Sequence, residues 1–213
     1  MMLLVFFFML YSISVSDPQR FEENMSSVRV SLGDDPNIIS PLGEYPRKER
    51  TQAQLRKQVV AMQTRAFNDI RVFIAQNGME ANVGAVLEEG SIILRLPEGT
   101  LFAPGTEHIL PDGLKTLNQL KDLFIIQSQQ TINIRVYTDD APLPWGTRFR
   151  NNWEHSALRA ALVLRHLLAQ GIEPGRLTAT GFGQLEPLFP NTTEINRAKN
   201  RRIEFVLELS LGK

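Results

Sequence analysis

Tyr137-Thr138-Asp139-Asp140, followed by Asn152-Trp153-Glu154-His155-Ser156-Ala157-Leu158-Arg159-Ala160, Gly181-Phe182-Gly183, Asn191-Thr192-Thr193-Glu194 and Arg197-Ala198-Lys199-Asn200-Arg201-Arg202, is the stretch that decides how this chain is read. It opens where a clean alternation ends. Ile132, Ile134 and Val136 take one face while Asn133, Arg135 and Tyr137 take the other, so 131–138 is predicted as a strand with one buried side. That strand delivers Asp139 to its C-terminal end, a usual place for a binding residue in open α/β-type sheets. Asn151 with Glu154 three residues on is a capping-box-like helix start, and Gly171 followed by Pro174 closes the helix. Trp153, Ala157, Ala160, Ala161, Leu164 and Leu168 form its expected buried stripe, with Ser156 and Arg159, three apart, on the flank. Residues 176–183 then read as a strand and turn, and 193–200 as a short helix. Residues 201–209 read as a last strand with Ile203, Phe205, Leu207 and Leu209 inward.

Upstream, 111–127 reads as a helix with Leu114, Leu117, Leu120 and Phe124 on one face and Lys115, Lys121 and Asp122 off it. Residues 81–87 and 91–96 are two short extended segments around Glu88-Glu89-Gly90, a hairpin signal, and Phe102 just beyond them is expected in the core. The longest helical pattern runs from Thr51 to Asn77, with Leu55, Val59, Met62, Ala66, Ile70 and Phe73 stepping by three and four and Gly78 ending it. Its narrow stripe serves either packing on the domain's own sheet or pairing with a second copy. Residues 17–50, interrupted by Pro18, Pro36, Pro41 and Pro46, read as a linker. The apolar run Met1–Val15 would extend only ~22 Å as a helix, short of a ~30 Å hydrocarbon core. It reads as part of a membrane helix; a signal peptide is the alternative, but no basic n-region precedes it and Ser14-Val15-Ser16 is a weak cleavage site.

The 213 residues suffice for one domain with appendages, and with Lys+Arg and Asp+Glu at 23 each no global field points to nucleic acid. Cysteine is absent, which excludes disulfides, thiol nucleophiles and Cys-based metal sites. His108, His155 and His166 lie in separate segments without metal-ligand spacing, and His155 and His166 are expected on helix surfaces. Asp139 and Asp140 are adjacent, so on a strand they point apart rather than share a proton, and no serine sits in a nucleophile elbow. The chain is therefore read as a non-enzyme without cofactor or metal.

The five ordered blocks resemble the OmpA-like peptidoglycan-binding domain, and the Asn152-Trp153-Glu154 form of the helix start is most similar to the MotB family of flagellar stator proteins. The resemblance covers about the last 130 residues closely. It implies an α+β fold, a mixed β-sheet covered by helices in 79–213, preceded by an amphipathic helix (51–78), a linker or plug (17–50) and a short, truncated membrane helix (1–16). It further implies a peptidoglycan anchor in the inner membrane, single-pass, with a periplasmic C-terminal domain, a MotA-like membrane partner and a homodimeric state. The alternative is an OmpA-like envelope anchor without a motor role. The intramembrane Asp of stator proteins has no counterpart in Met1–Val15.

Diaminopimelate-type peptidoglycan exposes a zwitterion, so its receptor needs a carboxylate for the ammonium and a guanidinium for the carboxylate, to which Arg's planar fork is suited. By the resemblance, Asp139 and Arg159 supply that pair at a solvent-open pocket, Arg202 lies at the same pocket, and Thr138, Asn152 and Ser156 contribute hydrogen bonds. Tyr137 stands where the family often has His. Arg201 is read as a solvated or structural charge.

Overall fold

The structure is a computed structural model that describes residues 45–143 and 149–209, with side chains from residue 54 onward. The expected membrane segment, most of the linker or plug, and the loop tip with Trp145 and Gly146 lie outside the described residues. Among those described, no helix is long and apolar enough to cross a membrane. Residues Ala53–Lys213 form one compact unit, which holds the whole sheet.

The fold is α+β, as expected: a mixed five-stranded sheet flanked by helices. The strands are β1 (Gly84–Glu88), β2 (Ser91–Pro97), β3 (Gln130–Tyr137), β4 (Leu177–Gly183) and β5 (Arg202–Leu209). They lie in the order β1-β2-β5-β3-β4. Glu89 and Gly90 both take positive φ, 47° and 82°, in the two-residue turn whose twist matches the β1–β2 hairpin. Of the paired neighbours only β3 and β4 run parallel, which requires a crossover, supplied by helix α4 (Asn152–Ala169). The other helices are α1 (Tyr45–Gln76), α2 (Glu98–Leu101), α3 (Pro111–Ile126) and α5 (Glu194–Asn200), with a 3-10 turn at Pro174–Arg176.

Alternation puts Ile92, Leu94, Leu96, Ile132, Ile134, Val136, Ile203, Phe205 and Leu207 into a single core with Leu117, Leu120, Leu123 and Phe124 of α3 and Ala160, Val163 and Leu167 of α4. Phe124 and Phe205 meet at 5.4 Å between ring centroids. Helix α1 begins at Tyr45, six residues before the expected Thr51, because Pro46 falls in the first turn, where its missing N–H would have had no intrahelical partner. Its C-terminal end joins the core through Ile70 and Ile74, whereas Leu55 and Met62 of the same stripe are more than half exposed. Gly78 takes φ +64° and the Met79 N–H bonds back to the Ile74 carbonyl, closing the helix as a C′ glycine does.

The buried face of α4 departs from the expected stripe. Its buried residues are His155, Ser156, Arg159, Ala160, Val163 and Leu167, while Trp153 is 47 % exposed. The helix is turned because its backbone lies directly on β4: a Cβ built on Gly181 would come within 2.3 Å of the Ala157 nitrogen. Only glycine permits that approach. Three polar side chains thereby enter the interior.

Candidate functional site

At the C-terminal end of β3 the Thr138 N–H still bonds to the Gly183 carbonyl at 2.7 Å, so the strand is held up to the residue before Asp139. Asp139 is 5 % exposed. Its Oδ1 accepts from the Ala141 N–H at 3.1 Å, a turn that fixes the carboxylate's orientation. Asn152, the first residue of α4, donates through Nδ2 to the Asp139 carbonyl at 3.2 Å and the Ala141 carbonyl at 3.0 Å. The helix start is itself locked: Asn151 Oδ1 accepts from the Glu154 N–H at 2.9 Å, and Glu154 reaches back to the Arg150 N–H at 2.8 Å. Strand end and helix start thus form one rigid corner.

Asp139, Thr138 and Asn152 line a pocket of about 490 Å³. Its far walls come from Glu98, Gly99 and Phe102 after β2, from Pro142 and Leu143, and from Glu194, Ala198 and Arg201 around α5. Arg201 is the electrostatic hub. It pairs with Asp139, with Glu194 at 2.6 Å and with Glu98 at 3.9 Å. Burial alone would lower its pKa, but the hydrogen bonds to Glu194 and Asp139 raise it on balance. Three carboxylates and one guanidinium therefore line the pocket, an arrangement suited to a ligand that brings positive charge.

Arg159, expected at a solvent-open position, is 1 % exposed and does not face Asp139. Its guanidinium donates through Nε to the Thr106 carbonyl at 2.8 Å and through Nη2 to the Ala103 carbonyl at 3.1 Å, pairs with Glu98, and stacks over Phe102 at 4.7 Å. Burial pushes its pKa down to about 10, so it is still protonated at neutral pH. It stands directly behind two residues of the pocket wall, Glu98 and Phe102.

Arg202 is not at the pocket, which corrects its expected place. It pairs with Glu204 at 2.8 Å, lies 3.6 Å over the Tyr137 ring and donates to the Glu186 carbonyl at 3.1 Å. The physical reason is strand parity: Ile203 points into the core, so Arg202 shares the opposite face with its register partner Tyr137. Tyr137 is itself stacked on Phe182 at 4.7 Å and its pKa is pushed up to about 12, by burial first and then by Glu204. Arg201, one residue earlier, is what reaches the pocket. The alternation of the last strand already carried that signal.

Ser156 is fully buried and fully used. Its hydroxyl donates to the Trp153 carbonyl at 3.0 Å and accepts from the Gly183 N–H at 2.9 Å, so it ties α4 to the end of β4. His155, expected on a helix surface, is 4 % exposed and lines the pocket beside Asn152. Its ring meets Phe149 at 4.9 Å, and its pKa is lowered, by burial first and against the pull of Glu107. His166 bonds Asn118 at 3.2 Å near the helix surface. Among the described residues, no group of His, Cys, Asp and Glu is arranged to hold a metal ion.

The sequence profile of the OmpA family matches residues 101–201, which hold the pocket's lining except for Pro97, Glu98 and Gly99. Motility protein B of Helicobacter pylori is 30 % identical over 210 residues, covering 95 % of this chain and 79 % of the relative. A crystal structure of a putative MotB-like protein from Desulfovibrio vulgaris is 50 % identical, with a TM-score of 0.71, and covers 73 % of this chain and 96 % of that one. The periplasmic domain of Helicobacter pylori MotB, residues 90–256 of that protein, is 31 % identical, with a TM-score of 0.54, and covers 60 % of this chain and 79 % of that one.

Proposed function

The chain belongs to the OmpA family, and on that premise we propose that it is a non-catalytic peptidoglycan anchor of the MotB kind, a stator subunit that fixes an ion-driven motor to the cell wall. In this reading the C-terminal domain lies in the periplasm, the apolar N-terminal run sits in the inner membrane beside a MotA-like subunit, and the chain works as a homodimer. The observation that carries the wall-binding part is the Asp139–Arg201 corner, where a buried, oriented carboxylate meets a part-exposed guanidinium at the edge of a pocket. A zwitterionic diaminopimelate head needs those two charges. Its ammonium takes the place of Arg201 at Asp139, and its carboxylate turns to the guanidinium released. Arg159 is the second cation, reached by displacing Glu98. Thr138 and Asn152 hold the corner, while Ser156 and Arg202 hold the frame around it.

The test uses the full chain in detergent solution, co-sedimented with purified sacculi. Wild type is expected in the pellet. Asp139→Ala and Arg201→Ala should lose about 1.5–3 kcal/mol of binding, tenfold or more, with unchanged circular dichroism. Variants that sediment like wild type would remove the site. Introduced into the native gene, Asp139→Ala should leave cells flagellated but non-swimming; normal swimming would keep the anchor and remove the motor role.

A further inference from the structure

His155 lines the pocket and is almost wholly buried, yet neither Nδ1 nor Nε2 has a hydrogen-bond partner. A neutral imidazole carries one N–H donor and one acceptor nitrogen. Burying both unpaired forfeits their bonds to water, and native interiors seldom leave such groups unmatched. The contrast with its neighbours on the same buried face is direct. Ser156 uses its hydroxyl twice, and Arg159 donates to two carbonyls and is ion-paired with Glu98. Packing alone gives no reason for an imidazole here, since its described ring contact is with Phe149 and an apolar ring would serve that equally.

The position of the ring says what would satisfy it. His155 is three residues after Asn152 on α4, so their Cβ atoms are about 5–6 Å apart on one face. Asn152 is bonded to the Asp139 carbonyl. The imidazole therefore stands about one helical turn from Asn152, which holds the Asp139 end of the charged corner that Arg201, Glu98 and Glu194 complete. Phe102, Pro104, Pro142 and Leu143 of the same wall bring no charge, and Glu107, which is not among the lining residues, is the carboxylate that acts on the ring. A ligand whose charged head fills the corner would lay its next polar group, one residue's length away, against this ring.

We propose that His155 is a ligand-contacting residue that hydrogen-bonds a backbone amide of the peptide carrying the zwitterionic head, and so makes the pocket prefer that amino acid within a peptide over the same amino acid free. The proposal rests on the reading of the pocket as a peptidoglycan site. Near neutral pH the ring is uncharged, and it matches an amide rather than a carboxylate.

The experiment titrates the full chain in detergent solution with free meso-diaminopimelate and with a disaccharide-tripeptide muropeptide, for wild type and His155→Phe. Wild type should prefer the muropeptide, and the preference ratio should fall about tenfold in His155→Phe, the size of one lost hydrogen bond of the stronger kind. An unchanged ratio overturns the proposal and leaves the peptidoglycan reading standing. Binding of neither ligand by wild type overturns both. Should His155→Phe fail to fold, the imidazole 15N resonances of wild type, assigned with His155→Gln, decide: they should move on saturation with the muropeptide and stay in place with the free amino acid. Unmoved resonances with both refute the contact.

Discussion

Arg159 and Arg176 both turn a guanidinium on main-chain carbonyls, one near the end of β3 that carries the pocket and one at the end where β3 begins. Arg176 donates to the carbonyls of Gln130 at 2.8 Å, Phe124 at 3.0 Å and Gln127 at 2.9 Å, closing the C-terminal turn of α3 onto the sheet. Arg159 does the same for Ala103 and Thr106 but also pairs with Glu98 and is sealed from water. Burial lowers the pKa of each, and at Arg176 it outweighs the opposing pull of Glu173. Two sites with the same hydrogen-bond chemistry thus differ in depth and in one carboxylate. Bond number does not set the importance of such an arginine; what would be left behind without it does.

The comparison breaks most visibly at Arg159. Arg159→Ala takes the close cation from a buried Glu98 carboxylate, leaving it only Arg201 at 3.9 Å, and removes the guanidinium donor of the Thr106 carbonyl, which should cost about 3–5 kcal/mol. That is a large share of a typical domain's stability, so the variant is expected to unfold at much lower denaturant concentration. A midpoint close to wild type would show that water enters the site and that depth is not the deciding difference. Mild loss of binding with an intact fold, as a solvent-open pair would give, is not expected.

Arg176→Ala is the matched control. The Arg176 guanidinium is itself part-exposed and its removal strands no buried carboxylate, so the loss should be about 1–2 kcal/mol in chemical denaturation, with sacculus binding unchanged. A loss as large as that of Arg159→Ala would erase the distinction; a loss of wall binding would mean that the two ends of β3 are coupled.

The smallest effect asks whether creating a buried charge matters as removing one does. His155 and His166 both have pKa values lowered by burial, at His155 against the attraction of Glu107. A histidine whose folded pKa lies below its unfolded value near 6.5 costs nothing above that pH and destabilises progressively as pH falls through 6.5 towards the folded pKa, because the unfolded chain binds the proton first. Each can add a slope of at most about 1.4 kcal/mol per pH unit in that window. His155→Phe should flatten the upper part of the acid-stability curve. The lower part reports Glu204, whose pKa is lowered by Arg202 and Arg95 against its burial, so that its contribution is present above about 4.5 and is lost below. An unchanged upper slope in His155→Phe would place the effect at His166.

The strands were legible because their period is two and their inward residues are aliphatic. Ile132, Ile134 and Val136 can face only one way, and Ile203, Phe205 and Leu207 confirm it from the partner strand. Asp139 at the strand end was legible for the same reason. Helix α4 was not, because its buried face contains His155, Ser156 and Arg159, and a stripe drawn through apolar residues alone turns the helix by one position. The information that decides its rotation is held elsewhere, in the missing side chain of Gly181. Arg201 and Arg202 show a different failure: motif matching chose the second, whereas simple alternation from Ile203 sends it to the far face beside Tyr137. Glu98, 41 residues from Asp139 in sequence, had no local signal at all; only the sheet order brings the end of β2 to the end of β3.

That sheet order also fixes how the domain would bear a load. Asp139 follows the eight-residue strand β3, which is laced to β5 on one side and β4 on the other. The ladder bonds lie across the strands, so tension drawn along β3 from the pocket is shared by both rows together instead of opening them one at a time from an edge. The same grip placed on β1, at the margin of the sheet, would peel. A tether ending at Asp139 pulls on the part of the molecule best able to resist it.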